Sequence, residues 1–189
     1  MAIPANAALD VGCGRYKLPS AIGVDRYQWQ GVDVVHDLDR YPWPFANDVF
    51  DRVVCRHSLA HLSSVVSAME ELYRLSRPGG IIEILTPHFS SDNAFTDVTT
   101  RSFFGFRSMD YFCEDRPMKY RYGRCNFRLQ EVRISFLSAH TFDGQPRRVN
   151  PFALLGLEWL INRFPRAYEH FFSSILRANE VYYRLEVLK

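Results

Sequence analysis

Short apolar runs recur along the first half of the chain, and each run ends at glycine or polar residues. Runs of this length, with turn signals on both sides, are typical of buried strands in a parallel sheet. They predict strands at residues 7–11, 21–24, 32–35, 50–55 and 80–85. Two later segments alternate apolar and polar positions, and they predict further strands at residues 129–137 and 181–188.

The strongest helical pattern lies between the fourth and fifth predicted strands. Apolar residues recur at helical spacing over residues 62–73, which places them on one face of a helix. The sequence Arg77-Pro78-Gly79-Gly80 ends this helix and turns the chain into the next strand. Aromatic and apolar residues at similar spacing predict further helices over residues 98–113, 152–164 and 168–176.

The connections between the first three predicted strands are unusually short. About ten residues separate the first strand from the second, and fewer separate the second from the third, whereas a parallel crossover normally takes a dozen or more residues and a helix. Pro19 further disfavours a helix in the first connection. We therefore expect helices to be missing here, and expect the C-terminal segment 151–176 or a partner subunit to cover this part of the sheet.

Composition places the chain among ordinary globular proteins. Its 189 residues, 47% hydrophobic and 23% charged, predict one domain over residues 1–189. A net charge of +2 does not require a nucleic-acid partner and permits an anionic substrate. The four cysteines have no disulfide-type or zinc-type spacing, which favours a reducing compartment. The sequence shows no signal peptide and no apolar run that could span a membrane, so we expect a cytoplasmic location.

A glycine turn follows the first predicted strand, in the sequence Asp10-Val11-Gly12-Cys13-Gly14. Glycines let a ligand approach the backbone closely and leave amide donors exposed. A dinucleotide, S-adenosylmethionine (SAM) or no ligand at all could explain such a turn. The dinucleotide fingerprint requires a third glycine at position 17, where this chain has Lys17, so that alternative is disfavoured. Asp25 and Asp37 follow the next two strands, where carboxylates could accept hydrogen bonds from ribose hydroxyls and an adenine amino group.

The order of these motifs resembles that of class I SAM-dependent methyltransferases, and most closely their small "type 11" branch. The resemblance covers roughly residues 7–91. The segments that carry it are Asp10–Gly14, Gly23-Val24-Asp25, Asp37 with Pro42-Trp43-Pro44-Phe45, Phe50–Val54, Leu59-Ala60-His61-Leu62 and Arg77-Pro78-Gly79-Gly80.

This resemblance implies a Rossmann-like α/β sheet of seven strands. The sheet would be mostly parallel with an antiparallel C-terminal strand, and its helices would be reduced between the first three strands. SAM would lie across the carboxyl ends of the first strands, with S-adenosylhomocysteine (SAH) as the product. The resemblance implies that the backbone of Gly12, Cys13 and Gly14 binds the methionine moiety and that Asp10 orients the turn. It implies that Asp25 binds the ribose and that Asp37 with Leu38 binds the adenine. Arg56 and His57 would also bind the cofactor, near the sulfonium.

Lys17 departs from the family pattern, in which a further glycine and a full helix follow the turn. Two alternatives stay open for its side chain. Lys17 could reach the cofactor carboxylate or a substrate anion, or it could be a solvated surface lysine.

Methyl transfer requires mainly proximity and orientation, and a general base is needed only for a hydroxyl or protonated amine acceptor. His88 is the first candidate for this base because it directly follows the fifth strand, and His57 is the second because it follows the fourth. The sequence lacks the Asn-Pro-Pro-Tyr-type tetrapeptide after strand four, which argues against a nucleobase or glutamine amino group as the acceptor.

The sequence therefore predicts methyl transfer to oxygen or nitrogen of a small molecule, such as a sugar or another cell-surface precursor. Segments 98–128 and 150–176 would form a substrate lid or a cover, and the C-terminal apolar helices could form a homodimer interface. A non-catalytic SAM-fold subunit or scaffold is the main alternative. An RNA methyltransferase is disfavoured, although basic and aromatic residues alternate over 101–128.

Overall fold

The computed structural model describes residues 7–116, 118–136 and 155–189, which contain one seven-stranded sheet. The strands are β1 (Ala8–Val11), β2 (Ala21–Asp25), β3 (Val34–Val35), β4 (Phe50–Arg56), β5 (Ser76–Pro87), β6 (Phe127–Ser135) and β7 (Glu180–Val187). The helices are α1 (Val65–Leu75), α2 (Asn93–Thr96), α3 (Leu157–Arg163) and α4 (Pro165–Ala167). Shorter turns of 3-10 helix lie at Leu59–His61 and Ser108–Phe112, and a π-helical turn lies at Tyr168–Phe172.

The strand order is β3-β2-β1-β4-β5-β7-β6. Strands β1 to β5 pair in parallel, and β7 runs antiparallel to both of its neighbours. The order reverses between β1 and β4, so the carboxyl ends of these strands border a topological switch point, where open α/β sheets bind ligands. The predicted Rossmann-like sheet, mostly parallel with an antiparallel C-terminal strand, is confirmed.

The reduced connections are also confirmed. Residues 12–20 join β1 to β2 and residues 26–33 join β2 to β3, and neither segment contains a helix. Instead, turns hold each connection against the strand ends. Leu18, for example, donates its backbone N–H to the Asp10 carboxylate at 2.8 Å.

One face of the sheet is buried against α1. Leu9, Val53 and Ile82, on three adjacent strands, are fully buried and form one core cluster with Met69 and Leu72 of the helix. Fully burying each such side chain stabilises the fold by about 1.5–3 kcal/mol.

Side-chain contacts fix both ends of α1. The Ser64 hydroxyl caps the helix by accepting a hydrogen bond from the Ser67 N–H at 3.1 Å. The Ser76 hydroxyl donates to the Leu72 carbonyl at 2.7 Å, where the helix ends.

The opposite face of the sheet carries charged side chains at alternate positions. Glu83 of β5 forms ion pairs with Arg52 of β4 and Arg184 of β7, and it accepts a hydrogen bond from the Tyr182 hydroxyl at 2.7 Å. These side chains form a polar layer over the middle of the sheet.

The expectation that segment 151–176 covers the first strands is wrong for the described residues. The described part of this segment packs against β6, where Asn162 donates to the Ile134 carbonyl at 2.8 Å and accepts from the Ile134 N–H at 2.7 Å. Residues 151–154 lie outside the described part of the chain.

Three predicted helices differ from the observed elements. Residues 98–113 contain only the 3-10 turn Ser108–Phe112, because the backbone of Phe104 forms an isolated parallel bridge with His88 that interrupts a helix. The helix predicted over 152–164 is α3, with residues 152–154 outside the described range. Over 168–176, the regular part is the single π-helical turn Tyr168–Phe172.

No helix among the described residues is long and apolar enough to cross a membrane. The C-terminal helical segment nevertheless exposes large apolar side chains, among them Trp159 (71% exposed), Phe171 (65%) and Ile175 (84%). The homodimer through this segment stays a prediction.

Candidate functional site

A cavity of about 530 Å³ lies at the carboxyl ends of the parallel strands. Its size falls within the range of about 300–1,000 Å³ that is usual for small-molecule and cofactor sites. The predicted site residues that line it are Gly12, Asp25, Asp37, Leu38 and His57. The fold therefore brings together residues from the ends of four different strands.

Gly12 is the point of the turn that faces this cavity. Its φ of +68° lies in the left-handed region, and a Cβ atom built there would stand 2.3 Å from the Ser58 Cβ. Only glycine fits this position. The Gly12 and Cys13 N–H groups both donate to the Val24 carbonyl, at 2.8 and 3.2 Å, so these amides hold the turn against β2. Neither Cys13 nor Gly14 lines the cavity.

Asp25, at the end of β2, connects the glycine turn to the cavity wall. One carboxylate oxygen accepts the Gly14 N–H at 2.9 Å, and the other accepts the Tyr27 N–H at 2.9 Å. A carboxylate offers about four acceptor positions, so each oxygen retains capacity for a second donor. Because Asp25 lines the cavity, a ligand with two adjacent hydroxyls could use that capacity.

Asp37 and Leu38 follow β3 and form the wall beside Asp25. The Asp37 carboxylate is about one-third exposed and lies 3.8 Å from both Arg26 and Arg40. Leu38 is buried, and its carbonyl accepts the Trp43 indole N–H at 3.0 Å. An apolar wall next to an acceptor suits a purine ring with an amino group.

Asp10 and Arg56 form a buried ion pair behind the turn. The Asp10 carboxylate is fully buried and lies 2.7 Å from an Arg56 guanidinium nitrogen, which also donates to the Tyr16 carbonyl. Burial raises the pKa of Asp10, and Arg56 offsets part of this effect. Neither residue lines the cavity, so the structure places both in support of the turn.

Lys17 also lies outside the cavity. Its ammonium group is 2.7 Å from the Asp33 carboxylate, which accepts the Gly23 N–H at 2.8 Å through the same oxygen. The aliphatic part of Lys17 packs over Gly23, where a Cβ atom would come within 2.5 Å of it. The structure thus gives Lys17 a role in holding the short connections together. Burial raises the pKa of the Cys13 thiol to about 11.

His57 is the predicted catalytic residue that the structure places in the cavity wall. Its φ of +53° is unusual for a residue other than glycine, and such strain concentrates at functional sites. The His57 N–H donates to the Leu85 carbonyl at 2.8 Å, and the ring Nε2 lies 3.2 Å from an oxygen of Glu180. The side chain is 45% exposed, so a ligand can reach it.

His88 lies outside the cavity wall, which corrects the expectation that it is the first candidate for the general base. It is fully buried, with Nδ1 2.8 Å from the Ser90 hydroxyl and Nε2 3.2 Å from the Glu169 carboxylate. Its ring packs against Phe89, with 4.4 Å between the ring centroids. Strand β5 runs two residues beyond the predicted end at residue 85, and the chain that follows it directs His88 into the protein interior.

The segment that follows α2 forms a cavity wall that the motifs did not predict. Asp97 accepts hydrogen bonds from the Thr99 N–H and hydroxyl at 2.9 and 2.7 Å, and these bonds lower the pKa of Asp97. The Thr99 hydroxyl lies 3.0 Å from the His61 ring. Arg101 follows, with its N–H donating to the Ala60 carbonyl at 2.9 Å. Tertiary contacts bring this segment to the site, and no local sequence signal marks it.

The strand order and the position of the cavity together define a class I methyltransferase fold. A family model described as a methyltransferase domain matches residues 4–150, which is most of the chain. The protein therefore belongs to this family, and the predicted resemblance to class I SAM-dependent methyltransferases is confirmed. No curated protein matches the chain.

Solved structures of SAM-dependent methyltransferases share this fold. One, from Archaeoglobus fulgidus, is 16% identical with a TM-score of 0.58, and the match covers 96% of this chain and 86% of that one. Another, from Thermotoga maritima, is 16% identical with a TM-score of 0.57, covering 98% and 83%.

A third structure, phosphoethanolamine N-methyltransferase 2 from Haemonchus contortus in complex with SAM, is 14% identical with a TM-score of 0.55. That match covers 97% of this chain and 49% of the longer protein. These three likenesses show a shared fold.

Proposed function

We propose that this protein is a SAM-dependent methyltransferase that transfers a methyl group to oxygen or nitrogen of a small molecule. The observation that carries this proposal is the cavity in which Gly12, Asp25 and Asp37 meet at the carboxyl ends of β1, β2 and β3. The residues fit the cofactor, because a backbone without a Cβ atom, a carboxylate with spare acceptor capacity and an apolar wall lie in the required order.

Each part of the cofactor has a candidate partner in this proposal. Asp25 would accept hydrogen bonds from the ribose hydroxyls, and Asp37 with Leu38 would hold the adenine ring. The Gly12 backbone would face the methionine moiety, and His57 would lie near the sulfonium. Bound SAM supplies an already activated methyl group, so the protein contributes mainly by aligning the acceptor and excluding water.

His57 is the candidate for removing a proton from a hydroxyl or ammonium acceptor. His57 is exposed to the cavity, whereas His88 is buried. The Glu180 carboxylate lies 3.2 Å from the Nε2 atom of His57. A carboxylate beside an imidazole orients the ring and stabilises its protonated form.

Binding of SAH, measured by isothermal titration calorimetry, tests the cofactor proposal. Asp25→Ala should weaken SAH binding by about tenfold or more, because hydrogen bonds to charged groups contribute about 1.5–3 kcal/mol. Asp51→Ala is a matched control, since Asp51 pairs with Arg77 and does not line the cavity. Absence of binding by the wild-type protein at millimolar SAH would refute the proposal.

The basic segment 101–128 gives little support to an RNA acceptor. Arg107 pairs with Asp110 at 3.0 Å, Arg101 with Asp39 at 3.6 Å and Arg128 with Glu186 at 2.9 Å. Charges neutralised in this way contribute less to phosphate binding. A salt-sensitive RNA shift in a gel would contradict this interpretation.

Enzymatic activity separates the proposal from a non-catalytic subunit. The wild-type protein, incubated with SAM and a cell-metabolite extract, should produce SAH. Binding of SAH without any turnover would favour the scaffold alternative.

A further inference from the structure

A second cavity of about 550 Å³ opens beside the proposed cofactor cavity. The two cavities share His57, His61 and Asp97 as wall residues. The second cavity extends from these residues to Pro87 at the end of β5 and Glu180 at the start of β7. A molecule bound there would lie next to a ligand in the first cavity, and direct transfer between two substrates requires such proximity.

Glu180 is the most unusual residue of this second cavity. It is only 5% exposed, and one carboxylate oxygen lies 3.2 Å from His57 Nε2. The other oxygen, Oε2, is buried and has no hydrogen-bond partner among the described residues. A buried carboxylate oxygen without a donor is costly, and buried polar groups are nearly always satisfied. Because Oε2 itself is buried, a cation in the cavity would offset this cost through the negative charge that the two carboxylate oxygens share.

The charge of the cavity wall determines which kind of ligand the second cavity attracts. Asp97 and Glu180 are both acidic, and none of the described residues that line the cavity is Arg or Lys. The remaining polar groups include the neutral side chains of Asn93, Thr96 and Thr100. Such a wall attracts a cation and repels a phosphate or carboxylate.

From these observations we infer that the second cavity binds the methyl acceptor, and that it binds an acceptor carrying an amine in its ammonium form. Glu180 is the counter-ion of that ammonium group, and its carboxylate does not donate a hydrogen bond. This inference rests on the proposed function and narrows its acceptor class from any small molecule to a cationic amine. Phosphorylated and carboxylated acceptors without an amine are excluded by the same charges.

Three small probes of matched size test the charge preference: n-propylammonium, 1-propanol and propionate. Each is titrated into the SAH-saturated wild-type protein, and binding is followed by NMR chemical-shift changes. We expect saturable binding of n-propylammonium that is about tenfold tighter than binding of the other two. Equal or tighter binding of propionate would overturn the inference, and this comparison needs no variant.

The substitution Glu180→Gln tests the residue itself. It should weaken n-propylammonium binding by about tenfold while SAH affinity stays within about twofold of wild type. Glu186→Gln is the matched control, since Glu186 lies on the same strand but pairs with Arg128 outside the cavity. Unchanged n-propylammonium affinity in Glu180→Gln would contradict the role of Glu180.

The two proposals fail separately. If SAH does not bind, the proposed function fails, and the probe titrations are carried out on the free protein to judge the amine site alone. If SAH binds but n-propylammonium shows no preference, only the acceptor inference fails.

Discussion

Two glycines of the turn after β1 have similar backbone angles but different surroundings. Gly12 and Gly14 have φ angles of +68° and +56°. A Cβ atom on Gly12 would collide with Ser58, whereas one on Gly14 would have no neighbour within 4 Å. Their sequence context is the same G-x-G motif, so only the structure shows that the two residues are constrained for different reasons.

Replacement of each glycine by alanine should distinguish the cost of the left-handed backbone from the cost of the collision with Ser58. Gly14→Ala should lower the free energy of unfolding by about 1–2 kcal/mol, which is the usual cost of a left-handed non-glycine residue. Gly12→Ala should cost about 1–3 kcal/mol more, since overpacking is added. Urea denaturation measures both values.

The added substitution Ser58→Gly is the control for this comparison. It removes the colliding atom and should recover part of the loss in Gly12→Ala. Equal costs for the two alanine variants would show that the Ser58 contact does not matter.

At the scale of the elements, aspartate side chains stabilise the short connections that lack helices. Asp10 accepts the Leu18 N–H, Asp25 accepts the Gly14 N–H and Asp33 accepts the Gly23 N–H. Each carboxylate bonds to the backbone of a neighbouring turn or strand. The sequence indicated that the connections were short, and the family resemblance implied that Asp10 orients the turn. It gave Asp25 only a ligand role and did not mark Asp33, because side-chain-to-backbone bonds over such separations depend on the tertiary fold.

The bond from Gly23 to Asp33 should contribute more to stability than the ion pair with Lys17. Asp33→Ala should lower the free energy of unfolding by about 1.5–3 kcal/mol, since it removes a charge-assisted bond to a backbone N–H. Lys17→Ala should cost less than about 1 kcal/mol, because the partly exposed ion pair is weak. Urea denaturation compares the two variants.

The same Lys17→Ala variant checks the placement of this residue outside the cavity. Its SAH affinity should equal that of the wild-type protein, because Lys17 does not line the cavity. A tenfold loss of SAH affinity in this variant would assign Lys17 to the cofactor after all.

At the scale of the whole molecule, periodicity and motif order were sufficient to predict roughly where the strands lie and that the sheet is mostly parallel with an antiparallel C-terminal strand. They were insufficient wherever a position depends on contacts distant in sequence. His88 follows its strand as predicted but turns inward to Glu169, 81 residues away. Glu180 reaches the proposed acceptor cavity because β7 pairs with β5, and its own segment shows only an ordinary strand.

The polar layer on the second sheet face is another feature of the whole molecule. Glu83 connects the parallel half of the sheet to the antiparallel half, because its partners Arg52 and Arg184 lie on β4 and β7. The sequence suggested strands buried on both faces, and among the described residues Glu83 is buried together with charged partners. Arg52 and Arg184 cover it from either side and are themselves about one-third exposed.

Removing Glu83 should therefore destabilise the sheet more than removing a peripheral charge. Glu83→Ala leaves two arginines without this carboxylate, and breaking a buried pair costs about 3–5 kcal/mol, reduced here because the arginines reach solvent. Arg128→Ala breaks the more exposed pair with Glu186 and should cost less than about 1 kcal/mol. Urea denaturation at low and high salt distinguishes the two variants, since salt screening weakens the exposed Arg128–Glu186 pair more than the buried Glu83 pairs. Similar costs for both variants would mean that the polar layer is only a solvated surface, and that the second face of the sheet is stabilised by other contacts.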